Sequence, residues 1–270
     1  MNLRNLFGKK PKPPPEDDAE DWIPPSAAMA RRRLMMLWAN SGRAFLEEEY
    51  GEDPVEADTP VAELRTWVHS ALRSDATAKE LTRHSMPLGS WPERFVVDDN
   101  WDFEAAVVLQ WALGLDEQLP PWDTEGERHG ATQEFFDFPD PSSWHPILTL
   151  RDPEEIEHMA QSYEARYWRI RSMDREPDHQ YGRKLMGRAK LLGQVDLAPD
   201  GDLALSDGTS IVDADEDRLS FVTSIVIERL HALNWLAGQD PDWDMIACDT
   251  MVGWLWDECW EGEGIGSPKD

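Results

Sequence analysis

The sequence predicts a mainly α-helical fold, a compact helical domain with a small appended β-hairpin. Three observations carry this. Apolar residues recur at three- and four-residue spacing in window after window along the 270-residue chain, the repeat of a helix with one buried face. These windows are bounded by capping residues and glycine stops. Only one segment, 195–212, shifts toward a period of two.

The elements follow in order. Residues 1–25 hold six prolines from Pro11 to Pro25 with acids among them, a composition that cannot bury enough surface to fold, and read as a disordered tail. Ser26 is a good N-cap for a helix through Tyr50, with Met29, Leu34, Leu37, Trp38, Phe45 and Leu46 on its apolar side and Gly51 as its stop. Thr59 and Pro60 open a second helix carrying Val61, Leu64, Trp67, Val68 and Leu72. A short third helix covers 76–85. A strongly apolar fourth covers 101–113, and its lack of a polar face marks it as central and buried.

Residues 116–150, with five prolines and many acids, read as a long surface connection. Asp152 as N-cap, Pro153 at N1 and Glu155 at N3 start the next helix, striped by Ile156, Met159, Tyr163, Tyr167 and Trp168 and ending before Pro177. Asp207-Gly208 inside 195–212 is the hairpin signal. Asp215 or a neighbour caps a last long helix through Ala237, bearing Leu219, Val222, Val226, Leu230 and Leu233. Residues 26–250 thus form one helical domain, and 251–270, with Trp254, Trp256 and Trp260, a Trp-rich extension that folds back or offers an aromatic surface.

Charge narrows the partners. The chain has 54 acidic against 26 basic residues, net -28, so nucleic-acid phosphates and anionic membranes are disfavoured partners. A basic protein is the partner the charge favours, though a salt-adapted or acid-biased proteome would account for the acidity equally well. No apolar run reaches the ~18 residues of a membrane span. The N-terminus lacks a signal-peptide core, and two cysteines near the C-terminus fit a reducing bacterial cytoplasm. The distribution is uneven. Residues 166–190 hold eight basic and three acidic residues, while 191–270 hold three basic and 18 acidic. The two regions facing each other within the fold is the simpler reading; an anion pocket using Arg169 or Arg171 is the sharper one.

Two Glu-x-x-His steps, Glu155 to His158 and Glu228 to His231, each put both side chains on one helix face, the pattern by which four-helix carboxylate bundles hold metals with further Glu ligands such as Glu48, Glu63 or Glu104. With 25 Glu and 7 His in the chain, such spacings also arise by chance. Nucleophile elbows, phosphate-binding glycine loops and zinc motifs are missing, so no cofactor is expected and catalysis has no motif behind it.

The runs Arg31-Arg32-Arg33-Leu34-Met35-Met36-Leu37-Trp38, Arg43 to Glu48 and Leu109 to Gly114, with Glu228 to Leu236, Asp242-Trp243-Asp244 and Asp249-Thr250, resemble an uncharacterised bacterial domain-of-unknown-function family, the one numbered four-two-seven-two, over about residues 30–250. That family implies a compact domain and no reaction. Its motif positions direct attention to Glu228, Arg229, His231, Asn234, Trp235, Asp242, Trp243 and Asp244 as binding candidates or as ties between the last helix and the loop after it. The expectation is an acidic, non-enzymatic protein-binding module, immunity- or inhibitor-like. The alternatives are a helical-bundle enzyme or sensor with a metal or anion site near Glu228 and His231, and a mimic of nucleic-acid charge.

Overall fold

The computed structural model describes residues 23–52, 58–127, 138–141, 143–173 and 179–248. Seven α-helices run through them: α1 (Ala27–Tyr50), α2 (Asp58–Ala71), α3 (Ala78–Ser85), α4 (Glu93–Ala112), α5 (Pro153–Ser172), α6 (Gln180–Leu191) and α7 (Glu216–Leu236). The fold is mainly helical, with no sheet among the described residues. The N-terminal tail up to residue 22 and the Trp-rich 251–270 lie outside them.

Local chemistry sets the ends. Ser26 caps α1 by accepting from the Met29 amide, and Asp215 caps α7 by accepting from the Arg218 amide. Thr77 and Glu80 form a reciprocal capping box at α3. At α5 the Asp152 side chain accepts from the Glu154 amide, while Glu155 turns outward to Arg151 at 3.0 Å instead of closing a box.

α1 is the axis. Leu34 to Ala39 are six consecutive buried residues, so α1 is enclosed on every side along this stretch. It packs along α4, α4 along α7, and α7 along α5, while α2 and α3 close one flank of α1. The main core joins Leu37 and Trp38 of α1, Leu64 and Val68 of α2, Leu109 and Trp111 of α4, Tyr163 of α5 and Leu230 and Leu233 of α7. Each such side chain contributes about 1.5–3 kcal/mol of apolar burial. A second, smaller core lies under α6, where Leu185 and Met186 meet Ala165, Val195, Leu203, Leu205 and Ile211.

Several expectations change. Helix α4 begins at Glu93, eight residues before the predicted start, because Pro92 supplies its N-terminal position and Asp98-Asp99-Asn100 is tolerated on the helix through Arg83, which pairs with both acids, and Glu48, which accepts from Asn100. Met29 and Phe45, placed on the apolar stripe of α1, are 48% and 42% exposed. The end of the basic 166–190 segment forms helix α6, an element its apolar spacing does not predict. The hairpin is reduced to its turn. Gly208 takes φ +82 and Leu205 receives and returns backbone hydrogen bonds across it, yet only two isolated antiparallel bridges form, Leu197 with Leu203 and Ala204 with Ser210. Two turns separated by so few residues leave no length for a ladder, and Leu203, Ala204 and Leu205 are all buried, without the alternation of a two-faced strand.

The 116–150 connection is no mere surface strap either. Arg229 of α7 takes the carbonyls of Pro120, Pro121 and Thr124 at 3.2, 3.0 and 2.7 Å. Arg151 takes those of Trp111, Asp116 and Glu117 at 2.7, 3.1 and 2.8 Å. Asp123 is fully buried against Arg218 and Ser206, and Trp144 stacks edge-on with Trp38.

The basic and acidic segments do meet. Arg169, fully buried, grips Asp202 through Nε and Nη2 at 2.8 and 2.7 Å, and Arg183 adds Asp200 at 3.3 Å. Gly182 lies flat on this pair; a Cβ there would sit 2.7 Å from the Arg169 guanidinium carbon.

Candidate functional site

One cleft collects most of the polar residues of the last helix. Glu228 and His231, three apart on α7, face Asp98 and Asp102, four apart on α4, with α3 and α1 closing the other sides. The cleft has a volume of about 370 Å³, with Trp101 and Trp243 in its wall.

Its floor is a chain of hydrogen bonds built on Asn40, which is buried on α1. The Asn40 amide donates to Glu80 Oε1 and to Asp102 Oδ2, both at 2.7 Å, and its Oδ1 faces His84 Nε2 at 3.0 Å. With both amide hydrogens spent on carboxylates, the Asn40 oxygen must accept, so His84 carries its proton on Nε2. Burial lowers His84 to about 3, which keeps it neutral. Arg33 of α1 grips Glu80 bidentately at 3.1 and 2.6 Å, and its guanidinium lies 4.2 Å over the Trp243 ring. Burial alone would raise Glu80, but Arg33 and the hydrogen bonds from Thr77 and Asn40 hold it below its ordinary range. Arg83 pairs with Asp98 at 3.0 Å and more closely with the buried Asp99.

These pairings leave Asp102 and Glu228. Among the described residues neither meets an arginine or lysine within ion-pair distance, although exposed Lys79 lies at the rim. Burial, then the charges of Asp102 and Asp98, push Glu228 up to about 8. Burial and the charge of Glu80 push Asp102 up to about 6, against the Asn40 hydrogen bond. His231 is driven the other way, to about 4, by burial and the nearby Arg33, and packs edge-on against Trp243 at 4.5 Å. At neutral pH the cleft therefore holds a neutral imidazole, an ionised Asp102 and a largely protonated Glu228.

No protein-family model, curated protein or solved structure matches the chain. Any functional reading rests on the cleft itself.

The residues singled out in sequence divide into two groups. Glu228, His231, Trp243 and Asp244 line the cleft. Arg229, Asn234, Trp235 and Asp242 do structural work. Arg229 is fully buried on Glu104, with Nε to Oε2 at 2.8 Å, and Tyr163. Asn234 donates to the Ala247 carbonyl at 3.1 Å, Trp235 stacks on Trp243, and Asp242 caps the turn Trp243–Met245. Arg169 is spent on Asp202, so it cannot grip an outside anion; Arg171 is exposed and stacks over Tyr167 at 5.4 Å. The two Glu-x-x-His steps do not converge. Glu155 and His158 are exposed on α5, Glu104 is spent on Arg229, and among the described residues no three metal-capable side chains gather. Sequence reading missed Asn40, Glu80, Asp98 and Asp102. The four-residue spacing of Asp98 and Asp102 was the available signal, and it became readable only once α4 extends back to Glu93.

Proposed function

We propose that the protein is a non-catalytic binding module, immunity- or inhibitor-like, that receives a lysine or arginine side chain of a basic partner protein in the cleft between α3, α4 and α7. The observation that carries this is the Asp102 and Glu228 pair, two carboxyl groups without a cation of their own, beside Trp101 in a cavity open to one side chain. An incoming cation supplies the missing charge, and Trp101 supplies an aromatic wall that suits it. The net charge of -28 speeds encounter with such a partner and makes binding salt-dependent. Cation entry favours the ionised form of Glu228, so binding near neutral pH releases a proton and strengthens as pH rises toward about 8.

Calorimetric titration with an octa-lysine peptide, in buffers of different ionisation heat, tests this. The expected result is proton release at pH 7, with both affinity and release lost by about tenfold or more in the Asp102→Asn/Glu228→Gln double variant. Equal binding by wild type and double variant refutes the proposal.

The same pair favours a second reading. One carboxyl near 6 and one near 8 give an ionised base beside a protonated acid, the arrangement of acid–base enzymes. A turnover lost in each single variant, found with no octa-lysine binding in wild type, selects it.

A further inference from the structure

A second cavity, independent of the cation cleft, lies between α5 and the connection after α4. It is an open cleft of about 600 Å³, within the ~300–1,000 Å³ of small-molecule sites. Trp111, Leu119, Trp122 and Met159 line it, and Arg166 of α5 reaches into it.

Arg166, half-buried, differs from most of the buried arginines of this protein. Arg33, Arg43, Arg83, Arg169 and Arg229 each hold a carboxylate within 3.0 Å. Arg166 has none. The hydrogen bond it makes is a close one from Nη1 to Ser162 Oγ, a neutral acceptor, and its Nε is buried without any partner. Its guanidinium lies between the rings of Trp122 and Tyr163, 5.5 and 5.3 Å from their centroids. These neighbours are themselves fixed. Ser162 donates to the Gln194 carbonyl at 2.5 Å, Trp122 Nε1 donates to the Ala204 carbonyl at 3.2 Å, and the Tyr163 hydroxyl accepts from Arg229 at 3.0 Å. The result is a half-buried, oriented cation whose buried Nε is unspent, in a chain that has carboxylates to spare. The nearest of those do not fill the role. Asp123 is engaged with Arg218 and Ser206, and Asp196, exposed at the rim, makes no ion pair with Arg166. Burial, with the nearby charge of Arg229, lowers the pKa of Arg166 in spite of the more distant carboxylates of Asp196 and Asp123.

We propose that this cavity binds a small monocarboxylate, its carboxylate on the Arg166 guanidinium and its apolar body against Leu119, Trp122 and Met159. A guanidinium offers parallel N–H donors that match a carboxylate. The carboxylates of Glu117 and Asp196 in the same wall disfavour a multiply charged anion such as phosphate.

Calorimetry on the full chain tests this with benzoate, hexanoate and indole-3-acetate at constant ionic strength, against benzamide and inorganic phosphate. The expected result is binding of at least one carboxylate with Kd about 1 mM or tighter. Benzamide and phosphate bind more weakly, and Arg166→Gln loses about tenfold or more. Circular dichroism checks that Arg166→Gln is folded. If it is not, Arg166→Lys replaces it, keeping the charge but not the fork, and should lose affinity for the carboxylate without gaining any for phosphate. Failure of all three carboxylates, tighter phosphate binding, or undiminished binding by the folded variant overturns the proposal.

Discussion

Replacing Glu228 by Gln removes one titration and keeps the shape of the side chain. Glu228 titrates near 8 in the folded protein against an ordinary 4.5, so between those values the folded state holds a proton that the unfolded state has released. Stability attributable to this group therefore falls as pH rises from 4.5 to 8 and stays low above it. At ~1.4 kcal/mol per pH unit the full interval is worth about 5 kcal/mol. Glu228 is only partly buried, and water entering the cleft relieves roughly half of that, leaving about 2–3 kcal/mol. Glu228→Gln should then be near neutral at pH 5 and stabilising at pH 9, by about 5–10 °C in Tm for a chain of this size. Thermal melts of both proteins at pH 5, 6.5, 8 and 9 measure it. The other groups facing Glu228, namely Asp98, Asp102, Glu104, Lys79 and His231, are common to both proteins and largely cancel in the difference. A difference in Tm that is the same at every pH, or a variant less stable at pH 9, refutes the buried-carboxyl account of the cleft.

The wild-type protein should lose stability on the acid side as well, because His84 and His231 titrate at about 3 and about 4 when folded and near 6.5 when unfolded. Their neutral burial is fully favourable above pH 6.5 and is lost as pH falls toward those values, so stability should peak near pH 6.5, checked by denaturant titrations across pH. Asn40→Asp sets a third carboxylate against Glu80 and Asp102 and should cost about 3–5 kcal/mol in urea unfolding at pH 7. Arg229→Leu leaves Glu104 charged and buried, with a loss of about 3–5 kcal/mol and a smaller loss in the double variant with Glu104→Leu. Gly182→Ala drives a methyl into the Arg169 guanidinium, with an expected loss of about 1–3 kcal/mol that a Tm shift reports.

Most helices were legible because their end signals are local. Ser26, Asp152 and Asp215 cap as their side-chain chemistry dictates, and α1 and α7 follow from periodicity. Helix α6 was hidden because its Arg and Lys residues masked the few apolar positions, Leu185, Met186 and Ala189, that face its core. The front of α4 was hidden because the acids that look helix-averse at 98 and 99 are neutralised by Arg83, a partner 15 and 16 residues away. The cleft was half legible. Glu228 and His231 share a face by spacing alone, but Asn40, Glu80 and Asp102 reach it only through the packing of α1, α3 and α4, which periodicity does not orient. Arg166 was not distinguishable at all, since seven other basic residues share its segment. Only the carboxylates that the fold gives to its neighbours set it apart.

The two arginines that hold the carbonyls of residues 111–124 also bear on how the chain meets a protease. Cleavage needs a segment of chain drawn out straight through an active-site groove, and a stretch without helix or strand is usually the first to oblige. Here Arg151 and Arg229, from beyond the connection, bind five carbonyls of that stretch and the carbonyl of Trp111 at the end of α4. It can be threaded only after both arginines let go. Irregular backbone at 115–124 should consequently share the lifetime of the helical core, and a limited digest should spare it for as long as the protein stays folded.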